Sequence, residues 1–152
     1  LYAQFSNLGL LNSVVGVGIA HVAFLLPVVT WMSKGFFDTL PRELEEAAAV
    51  DGASRPRVFW SIAVPLVLPG LGSSFIYAFI ISWGDLLFAR TLASSPTRWT
   101  TPVGLASFNS DFYTAIEPMM AAAITFALPV LVVFILMQKT FISGLTGGGV
   151  KG

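Results

Sequence analysis

The residues of this chain that could carry covalent or metal chemistry are few and poorly spaced for it. There is no cysteine and a single histidine, His21, which removes thiol nucleophiles, disulfides, cysteine metal sites and histidine-rich zinc sites. Carboxylates gather in one stretch, Glu43, Glu45, Glu46 and Asp51, and the next after these is Asp85. A two-metal site needs further aspartates about one helical repeat away, so Asp51-Gly52-Ala53-Ser54-Arg55 supplies no metal pair. A nucleotide-hydrolysing motor needs a phosphate loop whose last Gly is followed at once by Lys. Here Gly149 is followed by Val150 and only then by Lys151. The expectation is a chain that is not an enzyme, with no catalytic residue, metal or cofactor of its own, beside another chain that hydrolyses any ATP.

What must position the remaining polar residues is a set of membrane helices. The 152 residues are 55% hydrophobic and 11% charged, about half the charged share of a soluble domain. Residues 1–33, 58–84 and 118–138 contain no Asp, Glu, Lys or Arg. About 20 apolar residues at 1.5 Å each cover a hydrocarbon core of roughly 30 Å, so each stretch predicts one spanning helix. The expected limits are 14–35, 64–88 and 116–141, all-α and polytopic. Pro27, Pro65, Pro69 and Pro129 fall in or beside them, which membrane helices tolerate where neighbours satisfy the freed carbonyls. The chain carries no net charge, so nothing in it argues for nucleic acid; the lipid bilayer is the expected surrounding.

Six of the eight basic residues, Lys34, Arg42, Arg55, Arg57, Lys139 and Lys151, fall between the first two spans or after the third, against Arg90 and Arg98 elsewhere. The positive-inside bias places 36–63 and the tail in the cytoplasm, with the N-terminus and 89–115 outside. Trp99, Phe108, Phe112 and Tyr113 in that outer segment are expected either to anchor at headgroup level or to contact a partner. The first dozen residues have no basic n-region, so they are no signal peptide, and the sequence reads as truncated at its N-terminus. His21 falls inside a span, a functional hypothesis by default. With no carboxylate expected in the membrane beside it, its expected role is neutral, hydrogen-bonded packing. Asp85 and Glu117 read as markers of span ends. Gly70-Leu71-Gly72-Ser73-Ser74 and Ala121-Ala122-Ala123 suit close helix packing.

Residues 36–63, FFDTLPRELEEAAAVDGASRPRVFWSIA, are too patterned for a mere connector. Pro41 near a helix start, glutamates in the early turns and Ala47-Ala48-Ala49 predict a short helix. Gly52 ends it by taking the left-handed conformation, and Ser54 is expected to cap a second helix carrying Phe59 and Ile62 towards Pro65. Such a bent pair makes either a rigid knob for another protein or an amphipathic element lying on the bilayer.

The run Glu46-Ala47-Ala48, then Asp51-Gly52-Ala53, Phe59, Ile62, Pro65-Leu66 and Pro69 closely resembles the EAA loop of ABC-importer inner-membrane permeases. The flanking FFDTLPRELEEAA, ISWGDLLF and the terminal GLTGGGVKG extend the likeness over essentially all 152 residues, to the carbohydrate-uptake, maltose-permease-like branch, of whose roughly six-span subunits it matches the C-terminal half. The resemblance implies a partial permease fold, three spans with a cytoplasmic helix-Gly-helix coupling loop, in the inner membrane of a bacterium or archaeon. It implies that Glu46, Ala47, Ala48, Asp51, Gly52 and Ala53 dock into a cytoplasmic ABC ATPase dimer. It also implies a second permease subunit, an extracytoplasmic solute-binding protein, and a translocation path touched by Ser82, Trp83 and Asp85, in a segment that departs from the family's common Ser-Trp-Asn-Asp at Gly84. The function so implied is ATP-driven import of a sugar or oligosaccharide; permeation of another solute, or a non-transporting membrane anchor that binds the ATPase, are the alternatives.

Overall fold

The computed structural model describes residues 1–109 and 115–147, with side chains as far as Gln138. Among the described residues the regular elements are helices: α1 (Tyr2–Asn7), α2 (Val14–Phe37), α3 (Arg42–Val50), α4 (Arg55–Val58), α5 (Val64–Trp83), α6 (Leu87–Leu92), α7 (Thr101–Ala106) and α8 (Ile116–Gly147). A π-turn, Phe59–Ala63, joins α4 to α5, and a 3₁₀ turn spans Pro96–Arg98. Three stretches are long and apolar enough to cross a membrane, Val14–Phe37, Arg55–Trp83 and Ile116–Gln138, with mean hydropathies of 2.0, 1.9 and 2.6. The expected all-α polytopic architecture is therefore present, and the apolar window of the third helix has half-buried and exposed residues but no buried one.

Four boundaries differ from the sequence reading: the first long helix runs to Phe37 rather than residue 35, and both ends of the second differ for a local reason. The second long helix starts at Arg55 instead of Val64, because α4 runs through the π-turn without a break. Pro65 has no N–H for the carbonyl of Ser61, and its ring crowds that carbonyl. The wider π-turn just before it, closed by Val64 N–H donating to Phe59 O, absorbs the misfit. The same helix ends at Trp83 rather than Phe88, because Asp85 starts a separate helix, α6. The third helix runs on past Phe141 to Gly147. The segment 89–115 also holds the C-terminal part of α6, the 3₁₀ turn and α7 within what composition marks as a loop. Phe112, Tyr113 and the last five residues of the tail lie outside the described residues.

The described residues divide into two compact units, those of Leu1–Leu26 with Phe79–Ile135, and those of Pro27–Ala78 with the part of α8 from Leu136. The core of the first gathers Phe5 of α1, Val17 and Ala20 of α2, Ala89 and Leu92 of α6, Ala93 just after it, and Val103 of α7, with Leu10, Leu11 and Phe88 against them. Leu92 is fully buried, a burial worth about 1.5–3 kcal/mol against leaving the side chain in water. In the second unit Val58, Ala63, Val67, Gly70, Ser73, Ser74 and Ile76 turn inward. Gly70 is required by a close approach, since a methyl there would collide with the Phe36 ring. Small residues at such crossings replace the hydrophobic drive that is absent between helices in lipid.

Candidate functional site

The bend after α3 is built almost entirely from its own backbone. Glu43 and Glu45 sit in the first turn of α3, where the positive end of the helix dipole favours them. Ala48 is buried at 8% exposure, whereas Glu46 and Ala47 are exposed. The helix closes with a double hydrogen-bonded stop: Gly52 N–H donates to Ala49 O and Ala53 N–H to Ala48 O, both at 3.0 Å. This is the Schellman arrangement, and its left-handed residue is Gly52 at φ +77°. A side chain at Gly52 would meet nothing within 4 Å, so the position demands a conformation and not a space. Asp51 is exposed beside it and Ala53 half-buried.

Ser54 stands at the N-cap of α4, but its hydroxyl makes no capping bond, contrary to the sequence reading. Pro56 in the first turn removes one of the amides that would otherwise want such a cap. Phe59 meets the end of α2 as expected of an anchor: its ring stacks on Phe37 at a centroid distance of 5.7 Å and an interplanar angle of 11°. On α2, Lys34 pairs with Asp38 one turn on. Between α3, α4 and Phe37 lies a groove of about 420 Å³ whose walls include Glu45, Glu46, Ala49, Arg55 and Phe59. It offers an apolar floor with both signs of charge at its rim.

A second polar constellation surrounds the end of α5. Trp83 stacks on Phe79 and on Phe126 of α8, at 5.6 and 5.7 Å, and its indole N–H donates to Phe126 O at 3.2 Å. Ser82 is half-buried, and its hydroxyl makes no hydrogen bond among the described residues. Asp85 accepts the backbone N–H groups of Leu87, Phe88 and Ala89 at 3.2, 3.3 and 3.0 Å, three of the amides that open α6 without a partner of their own. Its Oδ2 also lies 3.1 Å from His21 Nε2 on α2. The two atoms are close enough for an ion pair when the imidazole is protonated, but the ring N–H is not aligned for a hydrogen bond. His21 therefore has a carboxylate beside it, which the sequence reading denied. That reading placed Asp85 at a span end and did not foresee the chain folding back onto α2 there.

Asn12 completes this corner. At φ +54° it donates its N–H to Leu92 O at 2.7 Å and accepts Ser95 N–H on Oδ1 at 2.9 Å, so α6 is tied at both ends. Sequence reasoning missed Asn12 altogether, and no local spacing signals it. The capping by Asp85 did have a signal, an Asp just before a short apolar helix.

The comparisons with known proteins agree with this architecture. Residues 3–141 match the family model described as "Binding-protein-dependent transport system inner membrane component". The maltodextrin transport system permease protein MdxG of Bacillus subtilis (strain 168) is 48% identical over 128 residues, covering 84% of this chain and 46% of the relative. The inner membrane ABC transporter permease protein YcjP of Escherichia coli (strain K12) is 42% identical over 153 residues, covering 100% of this chain and 54% of the relative. The galactooligosaccharides transport system permease protein GanQ of Bacillus subtilis (strain 168) is 38% identical, again over 100% of this chain and 54% of the relative. The chain thus spans about half the length of these curated relatives. With three helices apolar enough to cross a bilayer and a family match over nearly its whole length, the chain is a multi-pass protein of the cytoplasmic membrane and belongs to the family of binding-protein-dependent transport system inner membrane components.

Proposed function

We propose that this chain is part of the permease of an ATP-driven importer that moves a sugar or oligosaccharide across the cytoplasmic membrane. The observation that carries the reading is the bent helix pair α3–α4, whose Glu46 and Ala47 are exposed and whose Gly52 holds a left-handed turn. Glu46, Ala47, Ala48, Asp51, Gly52 and Ala53 form the coupling element, a rigid knob for the cleft of a cytoplasmic ABC ATPase dimer. Ala47 lets the partner surface approach closely and Glu46 meets its basic groups; the inward-turned Ala48 keeps the knob compact. The remaining partners are a second permease subunit and an extracytoplasmic solute-binding protein. The solute class rests on relatives named for maltodextrin, galactooligosaccharides and trehalose.

In this reading 36–63 faces the cytoplasm and 89–115 the outside, as the distribution of basic residues favours. Closure of the ATPase dimer carries the docked knob with it as a rigid body, and the spans move with it between outward-open and inward-open states. Ser82, Trp83 and Asp85 belong to the path at the end of α5. Among the described residues the Ser82 hydroxyl is uncommitted, while Trp83 and Asp85 shape the wall through their bonds to Phe126 and α6. The test is ATP-dependent uptake into vesicles by the full-length permease with its partner subunits and binding protein. Uptake of a labelled malto-oligosaccharide supports the reading; uptake of an amino acid or an anion with no sugar movement overturns the solute class. In intact cells a membrane-impermeant thiol reagent should label Ser95→Cys and spare Ser54→Cys, and the reverse pattern overturns the orientation.

A further inference from the structure

The corner at Asp85 does more than end a helix. One carboxylate joins two helices: its Oδ1 accepts two amides of α6, and its Oδ2 accepts a third while facing His21 of α2. Both side chains are largely withdrawn from solvent, at 15% exposure for His21 and 13% for Asp85. Beside this contact, the Phe88 ring of α6 meets the edges of His21 and Phe24 at 6.0 and 5.7 Å. His21 and Phe24 lie three residues apart, on one face of α2. The start of α6 is therefore gripped by one face of α2, through one polar and two aromatic contacts. At the far end of α6 the grip comes from Asn12, which precedes α2 and is not part of that helix. Within this corner, the His21–Asp85 contact is the polar link between α6 and α2 that the substitution of one atom can remove.

We propose that Asp85 is a positioning residue for transport: through His21 it holds α6 at a fixed orientation against α2, so that docking of the binding protein on the outward segment is passed to α2. The proposal rests on the importer reading above and names a residue pair that reading does not require. Asp85→Asn keeps an oxygen for the Leu87 and Phe88 amides, gives up the acceptor of the Ala89 amide, and removes the charge that faces His21. His21→Gln keeps a polar side chain and removes the ring that faces the carboxylate. A residue that only caps α6 would tolerate His21→Gln, which leaves every bond of the cap in place, and would lose in Asp85→Asn only what the Ala89 amide contributes.

The first experiment measures uptake by the assembled transporter. Each single variant should lose about tenfold in uptake rate, and the double variant should be no worse than the poorer single, as for two groups acting through one contact. Binding-protein docking and the yield of assembled complex should match the wild type. Wild-type uptake in either single variant, or losses that multiply in the double, overturn the proposal. The second experiment does not depend on transport. The chain has no cysteine, so spin labels at Val22→Cys and Thr91→Cys, both exposed positions, report the α2–α6 distance. One narrow distance is expected in the otherwise unaltered protein, and a broadened one with Asp85→Asn or His21→Gln. Distributions that do not change overturn the proposal whatever the uptake, while a transporter that moves no sugar with its spin-label distances as expected overturns the importer reading alone.

Discussion

The bend after α3 and the corner after α5 both turn the chain sharply between helices, and they are made by opposite means. At the bend, the bonds that stop α3 run between Ala47 and Ala53, all within one short stretch, and the turn depends on one residue at positive φ. At the corner, Asp85 supplies the local cap, but His21, Asn12 and Phe126 reach it from remote parts of the sequence. The bend is exposed around a buried Ala48, which suits an element that must keep its own shape while presenting it to a partner. The corner is packed among buried side chains and holds its shape by tertiary contact, which suits an element that reports on its neighbours. A self-contained turn can be carried as a rigid body; a shared one changes when any contributor moves.

The sharpest way to break this contrast is at Asp85. Asp85→Ala removes the acceptor of three amides and the partner of His21, and should destabilise the protein by about 2–3 kcal/mol, read as a loss of thermal stability in detergent. Asp85→Asn keeps the acceptor for two of the three amides and should restore part of that stability. If Asp85→Ala is harmless to stability, water satisfies the start of α6 and the corner is not a tertiary lock.

At the bend, Gly52→Val should cost about 1–2 kcal/mol for a branched residue forced into the left-handed region, and should lose ATPase subunits on purification or the stimulation of their hydrolysis by loaded binding protein. Gly52→Asn should stay near wild type, because Asn tolerates that conformation and nothing lies within 4 Å of the added carbon. Should Gly52→Asn fail as badly as Gly52→Val, the glycine serves the approach of a partner and the bend is not self-contained.

Smaller effects sharpen the picture. Asn12→Ala loses an acceptor for Ser95 N–H and keeps a non-glycine residue at positive φ, for a cost of about 1 kcal/mol; Asn12→Gly should recover the conformational part. Trp83→Phe keeps the stacking on Phe79 and Phe126 but drops the 3.2 Å bond to Phe126 O, for about 0.5–1.5 kcal/mol. Both are read by thermal unfolding in the same detergent.

The bend was legible because its causes are neighbours in the chain. Pro41, the early glutamates, three alanines and a glycine at the stop state a helix and its end without reference to any other part of the molecule. Only Ser54 misled, since the same residue type at a helix start does not cap when Pro56 has already removed an amide. The limits of the second long helix were misread because hydropathy marks where apolar residues stop, at Phe88, and not where the backbone turns, at Gly84 and Asp85.

The amino-acid sequence by itself determined that the chain is helical, that three stretches suit a bilayer, that α3 stops at a left-handed glycine and that Phe59 is the anchor of the second helix of the bent pair. Those properties come from composition, periodicity and short-range backbone geometry, which act within a few residues. Only the tertiary structure decided that Asp85 faces His21, that Asn12 clips the end of α6 and that Trp83 binds a carbonyl of α8. Each of these joins residues tens of positions apart, and no local pattern specifies such a meeting. It is set when the apolar faces of several helices pack together and leave the polar groups at their ends with few partners to choose from.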